Sequence, residues 1–261
     1  MSRCPFAVWK GSPNFWPGRL PLESLVDHVA QGTLAGTDAW FNNPNSQASA
    51  HFEVGKNGAI HQYVDTDDSS WGNGVLLKPD MSVPWIAQAF ASKTYAEYWS
   101  RHPNRRTISI EHEGHTGEVW TAAMYASDLR LKNWLMEMHD FGQELNGHLL
   151  LGHHHFDSVN RARCPGTTWP RARLIQDLQE DNVPTQQEWD DFNAAYKLDI
   201  KALRDQLAGL SSGLTALRDA VRVDIRAVRE SVAAHAATTH GGSGGVSEER
   251  VKEIVRELVA D

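Results

Sequence analysis

In the stretch Gly152-His153-His154-His155-Phe156-Asp157-Ser158-Val159-Asn160-Arg161-Ala162-Arg163-Cys164-Pro165-Gly166, potential metal ligands sit at both ends of one short loop. The stretch follows an apolar run, Leu149 to Leu151, that reads as the last strand of a sheet. It closes on a Cys-Pro-Gly turn in which neither Pro165 nor Gly166 favours helix or strand. Histidine nitrogen and cysteine thiolate are ligands that zinc prefers. A catalytic zinc takes three protein ligands and keeps a fourth position open for water. The question is then where the third ligand lies.

Upstream, Ser24 to Gly32 reads as a short apolar strand with His28 at its mouth, placed either to reach a cleft or to be satisfied within a core. Ala48 to Val54 and Ala59 to Val64 alternate and are joined by Gly55-Lys56-Asn57-Gly58, a hairpin signature. Thr107 to Glu113 alternates again, with Ile108 and Ile110 on one side and Ser109, Glu111 and Glu113 on the other. On spacing alone Glu111 belongs to a solvated strand face. If that face looks into a cleft with the metal ligands, it is a candidate general base.

Residues 121–146 carry a helical period through Ala122, Met124, Leu129, Leu131, Trp134, Leu135, Met138 and Phe141, with Asn146-Gly147 as its stop. A closing helix opens at Trp169. Asp38 to Phe41 suggests a short helix, residues 1–22 an irregular Pro-, Gly- and Trp-rich arm, and the segment from Asp65 to Arg106 an acidic loop and a polar stretch with few periodic cues. Strands interleaved with helices over residues 1–180 predict an α/β (α+β) domain, a central mixed β-sheet flanked by helices.

The 261 residues carry a formal net charge of −8, which argues against a nucleic-acid partner and against attraction to anionic membranes. No apolar export signal follows Met1-Ser2-Arg3 and no run reaches membrane-spanning length. Two cysteines cannot form a disulfide scaffold, and Cys164 is better read as a ligand or free thiol than as a bridge to Cys4. Nine of the ten tryptophans precede residue 180, enough to line an apolar or sugar-binding cleft or to fill a core.

The composition changes from about residue 185. Tyr196, Ile200, Leu203, Leu207, Leu210, Leu214, Leu217 and Val221 recur at alternating steps of four and three, the seam of a coiled coil over residues 185–236. Ile225, Val228 and Val232 continue it after a stutter. A lone helix would leave this stripe wet, so the chain is expected to form a homo-oligomer through it. A Gly/Ser linker at 237–246 and a short helix at 247–261 complete the chain.

Three pieces in this order, Val26 to Gly32 with His28, the hairpin with Ser49-Ala50-His51-Phe52, and His153 to Cys164-Pro165-Gly166, resemble the zinc-dependent N-acetylmuramoyl-L-alanine amidase superfamily that includes peptidoglycan recognition proteins and phage endolysins. The resemblance covers about residues 5–178. It implies zinc held by His28, His153 and Cys164, with Glu111 in the catalytic Ile-x-Ile-Glu strand, and cleavage of the amide between N-acetylmuramic acid and L-alanine in bacterial peptidoglycan. His51, Trp71 and Asn160 are then expected to face substrate. Some relatives carry a tyrosine where Ala50 stands, a lysine where Ala162 stands and a Trp-His pair where this chain has Trp71-Gly72. Arg161 or Asn160 is expected to supply the donor that the lysine would. Without an export signal, a phage lysin made in the host cytoplasm and released to the wall is the expected setting. A cytoplasmic wall-recycling amidase and a non-catalytic peptidoglycan-binding module are the rivals.

Overall fold

The alternating stretches pair into one six-stranded sheet in the computed structural model, which describes residues 2–141, 148–180, 186–239, 247, 249–250 and 252–253. Its order is β1 (Val8–Trp9), β5 (Ile60–Gln62), β4 (Phe52–Val54), β7 (Thr107–His112), β3 (Ser24–Val29), β8 (Leu150–Gly152). Only β4 and β5 run antiparallel, so the sheet is mixed, as expected. A separate ribbon joins β2 (Phe15–Trp16) to β6 (Ser69–Ser70). Two compact units emerge, Met1–Thr185 and Gln186–Asp261.

Period-two alternation sends Leu25, Phe52, Val54, Ile108, Ile110 and Leu150 to one face. There they pack on α4 (Ala122–Met138) and α5 (Arg171–Gln179) through Met124, Leu129, Leu131, Leu135, Leu174 and Leu178. Each such side chain taken fully out of water contributes about 1.5–3 kcal/mol. The opposite face of β3 and β7 carries His28 and Glu111, and α1 (Leu34–Asn42) lies over β4 and β5, tied by Thr37 to Glu53 and by Asp38 to His61.

Asp128 and Lys132 of α4 are as buried as its leucines. The Lys132 ammonium pairs with Asp27 Oδ1 at 2.8 Å and with Asp128, whose Oδ1 lies 3.0 Å from His112 Nε2. His112 Nδ1 donates to the main-chain oxygen of His28 (2.9 Å), and Trp169 Nε1 donates to Asp27 Oδ2 (2.8 Å). Both ring nitrogens of His112 thus lie against oxygen atoms of neighbouring elements. The Lys132 ammonium bridges two buried carboxyl groups directly beneath the strand that carries His28.

Several elements differ from expectation. The N-terminal arm supplies β1 at the sheet edge and β2. The helix foreseen at Asp38 to Phe41 starts at Leu34, where the Thr33 hydroxyl caps it by accepting from Gly36 N–H. The polar segment before Arg106 holds α2 (Pro84–Phe90) and α3 (Tyr95–Trp99), seven and five residues long, too short to show a period. The hairpin pairs only three residues per strand, and of its turn residues only Gly58 has positive φ (81°). Helix α4 ends at Met138, which is exposed; the expected stop at Asn146-Gly147 lies outside the described residues.

In the second unit α6 (Gln186–Thr239) runs unbroken through Gly209 and Gly213. Leu203, Leu207, Leu210, Leu214, Leu217, Val221, Ile225 and Val228 are all exposed on it. The side chains of Tyr196 and Ile200, the linker core and most of the terminal helix lie outside the described residues. No helix among the described residues is long and apolar enough to cross a membrane.

Candidate active site

Sheet register builds the floor of the site. Glu53 on β4 and His28 on β3 both stand opposite Glu111 on β7, so the three side chains lie in a row on one face. The row ends at β8, where Gly152 leads into a tight turn over His153–His155. A Cβ at Gly152 would meet Pro165 Cδ at 2.5 Å and the His154 ring at 2.8 Å, so only glycine lets the loop fold back this closely. His154 fastens that fold, its main-chain N–H donating to Cys164 O (3.1 Å) and its Nδ1 lying 2.8 Å from the same oxygen. The Cys164-Pro165 peptide is cis.

Closing the loop brings three ligand atoms together. His28 Nδ1 lies 3.0 Å from His153 Nδ1 and 3.9 Å from Cys164 Sγ. Tetrahedral zinc with ordinary bond lengths would set these edges at about 3.3 and 3.6 Å. His154 and His155 are turned to the main chain of Cys164 and Gly152, so His153 is the loop histidine at the site. Among the described residues one other group, Asp27, His112 and Asp128, is close enough to hold an ion, but the Lys132 ammonium already sits on its two carboxylates.

Burial drives the electrostatics. It holds His28 well below the ordinary imidazole range and His153 at about 4, so both present the neutral lone pairs that a metal needs. Burial, and then the Glu111 charge, push the Cys164 thiol up to about 12, so a thiolate here requires a cation beside it. The donor set therefore fits zinc. Glu111 Oε1 is 3.9 Å from His28 Nδ1, and burial lifts its carboxyl to about 7 against the pull of His112 and Arg161. Glu53 is pushed further, to about 9, by burial and by Glu111, and bonds the Tyr63 and Thr37 hydroxyls at 3.0 and 3.1 Å. Of the two neighbouring carboxyls, Glu53 is therefore the harder to ionise and Glu111 the easier.

Above this floor is a cleft of about 570 Å³. Trp40 and Phe41 of α1, Ser49, Trp71 and Gly72 line it, together with Gln31, Thr116, Asn160, Arg161 and Arg163. Asn160 commits its amide nitrogen to Asp157 Oδ2 (2.9 Å), whereas the Arg161 guanidinium bears electrostatically on His28, His153, Glu111 and Cys164 together. Trp71, expected to face substrate, lines the cleft. The Gly72 that replaces a histidine of some relatives has a physical reason, since a Cβ there would meet Ser109 Oγ at 2.9 Å and Ser49 O at 3.2 Å.

His51 is a correction. It is fully buried and does not line the cleft; its Nδ1 accepts from Ser109 N–H (3.0 Å) and its Nε2 lies 3.2 Å from Asp68 O. Both nitrogens are consumed in joining β4, β7 and the loop before β6, so it buttresses the sheet instead of touching substrate. Sequence reasoning missed Trp40, which is 55% exposed in the cleft wall, and Glu53. The register of a strand beside Glu111 was the signal for Glu53; Trp40 offered none until α1 began at Leu34.

Comparison with known proteins agrees with this geometry. The family described as N-acetylmuramoyl-L-alanine amidase matches residues 19–167. N-acetylmuramoyl-L-alanine amidase A of Achromobacter lyticus is 28% identical over 131 residues, 48% of this chain, which spans 58% of that relative's length. A solved structure of a selenomethionine AmpD derivative superposes with a TM-score of 0.51 at 21% identity, covering 67% of this chain and 96% of that one, a likeness of fold. With more than half of its length matched, from the strand of His28 to the loop of Cys164, the chain belongs to the N-acetylmuramoyl-L-alanine amidase family.

Proposed function

We propose that the chain is a zinc-dependent N-acetylmuramoyl-L-alanine amidase that acts on bacterial peptidoglycan as a phage lysin. The observation that carries the reading is the convergence of ligand atoms of His28, His153 and Cys164 within 4.8 Å of one another beside a largely buried Glu111. These three residues would hold zinc, which when bound supplies Lewis acidity at an open fourth position. Glu111 takes the proton of the attacking water and passes it to the leaving amine of L-alanine. Arg161, in the cleft wall, faces the negative charge that develops on the lactyl carbonyl oxygen. The amide between that carbonyl and L-alanine breaks.

The lysin setting is supported by the exposed heptad seam of α6, because an oligomer of catalytic heads suits a polymeric wall more than soluble fragments. In this setting the protein accumulates in the host cytoplasm and reaches the wall after release. The test compares wild type with Cys164→Ala for zinc content and for release of free N-terminal L-alanine from purified peptidoglycan. About one zinc per chain, with release lost in the variant, is expected; neither zinc nor release in the wild type overturns the enzyme and leaves a binding module. Activity on soluble muropeptides without clearing of intact walls would assign the chain to recycling instead.

A further inference from the structure

Trp71 lines the cleft and also begins a row of aromatic rings outside it. Trp16 pairs with Ser69 across the β2–β6 ribbon, so Trp71, two residues beyond Ser69, is its diagonal neighbour on the same side, and the two rings lie 5.5 Å apart. Trp16 in turn meets Trp99 edge to face at 4.8 Å. Tyr95 and Trp99, at the two ends of α3, share one side of that short helix, and their rings stack at 6.2 Å with 20° between the planes. One ribbon and one helical turn thus fix the row Trp71, Trp16, Trp99, Tyr95.

The row does not close a core. Tyr95 is 76% exposed, and Trp16, Trp71 and Trp99 are each half-buried. Arg105 lies over the Trp99 ring at 5.0 Å, and its guanidinium makes no hydrogen bond among the described residues, so its donors are open. The buried indole N–H of Trp71 also has no acceptor among the described residues. Rings left in water beside open donors suit a ligand that is apolar on its faces and rich in oxygen around its edge. A pyranose ring has that form, with C–H groups on its faces and hydroxyl or carboxyl oxygens around it.

We propose that this row is a platform for the glycan strand of peptidoglycan, binding sugars beyond the one whose amide enters the cleft. The identity of the ligand rests on the amidase reading. A polymer with one bond in the cleft must run its neighbouring sugars over the surface, and the row is continuous with the cleft through Trp71. Charge then selects the state of the strand. Hydrolysis of the amide leaves a lactyl carboxylate on the sugar and frees the peptide as an amine, so every sugar already cut is an anion. Arg105 offers its guanidinium to that carboxylate. The platform therefore favours strand that has lost its peptides and holds the enzyme beside the next intact amide.

The experiment measures binding of the full chain, by calorimetry, to peptide-free glycan strands, which carry lactyl carboxylates, and to chitohexaose, a neutral sugar chain. Wild type is expected to bind the strands more tightly. Tyr95→Ala alters an exposed ring, so its urea midpoint is expected to stay at the wild-type value while both ligands bind about 2–10-fold more weakly. Arg105→Gln is expected to weaken the strands alone, by about 2–5-fold, and added salt to reproduce that loss in wild type. Strand affinity untouched by Tyr95→Ala overturns the platform, and equal losses for both ligands in Arg105→Gln overturn the selection by charge. Binding is read without hydrolysis, so the two readings fail separately. Release of L-alanine by a wild type that binds no strands removes only the platform; strand binding through Tyr95 in a chain that releases none keeps the platform and overturns the amidase.

Discussion

Glu111 is a strand residue whose chemistry is made by its neighbours: desolvation lifts it, while His112 and Arg161 keep it within reach of ionisation near neutrality. Glu111→Gln keeps the shape and removes the base, so kcat is expected to fall by about 10²–10⁴-fold with zinc content unchanged. Trp40 is half exposed, so Trp40→Ala is expected to leave stability within about 0.5 kcal/mol while raising KM on purified wall. His51 gives a pH dependence with a definite sign. Its folded-state pKa of about 4 lies below the ordinary 6.5, so the unfolded chain binds the proton that the folded chain refuses. Its contribution is intact above about pH 6.5 and is lost as pH falls toward 4, amounting to about 3 kcal/mol. Urea unfolding at pH 7 and pH 4.5 measures this slope, which His51→Gln is expected to flatten. At this scale the convergence of His28, His153 and Cys164 beside Glu111 was legible, because their order along the chain follows the strands and the loop that bring them together. The role of His51 was not, since no sequence pattern tells whether main-chain groups will occupy both nitrogens of a ring.

Among the elements, α4 separates what a period reveals from what it conceals. Its apolar spacing announced a helix packed on the sheet, yet the same face buries Lys132 and Asp128 beneath His28 while Met138 turns to solvent. Apolar counting places such polar residues outside, because it cannot see Asp27 and His112 arriving from other strands to compensate them. Lys132→Met removes the cation shared by Asp27 and Asp128, and the two stranded carboxylates are expected to cost about 3–5 kcal/mol in denaturant unfolding. Short helices were hidden for the opposite reason: α2 and α3 make too few turns for a stripe to repeat, and their signals were single residues, Pro84 at a first turn and Thr94 as a cap.

Over the whole molecule, the mixed sheet with flanking helices was legible from alternation and period. Its strand order was not, because β1 and β8 at the two edges are chosen by tertiary pairing alone. The helix of α6 was legible from its apolar period, and the residues of the expected seam from Leu203 to Val228 lie exposed on it. On the proposed self-association, Leu210→Glu in the full chain is expected to reduce the mass found by light scattering to that of one chain, with cleavage of soluble muropeptides unchanged.

That exposed leucine row carries a kinetic consequence. If the proposed self-association holds, heads gathered on one scaffold would rebind a polymer before they diffuse away, because the neighbouring bond is met at an effective concentration set by the tether, not by the bulk solution. On that proposal, attack on an insoluble wall is expected to rise more steeply than in proportion to protein concentration near the dissociation midpoint of the helices, while small fragments are cut in simple proportion. Dilution alone would separate avidity from catalysis.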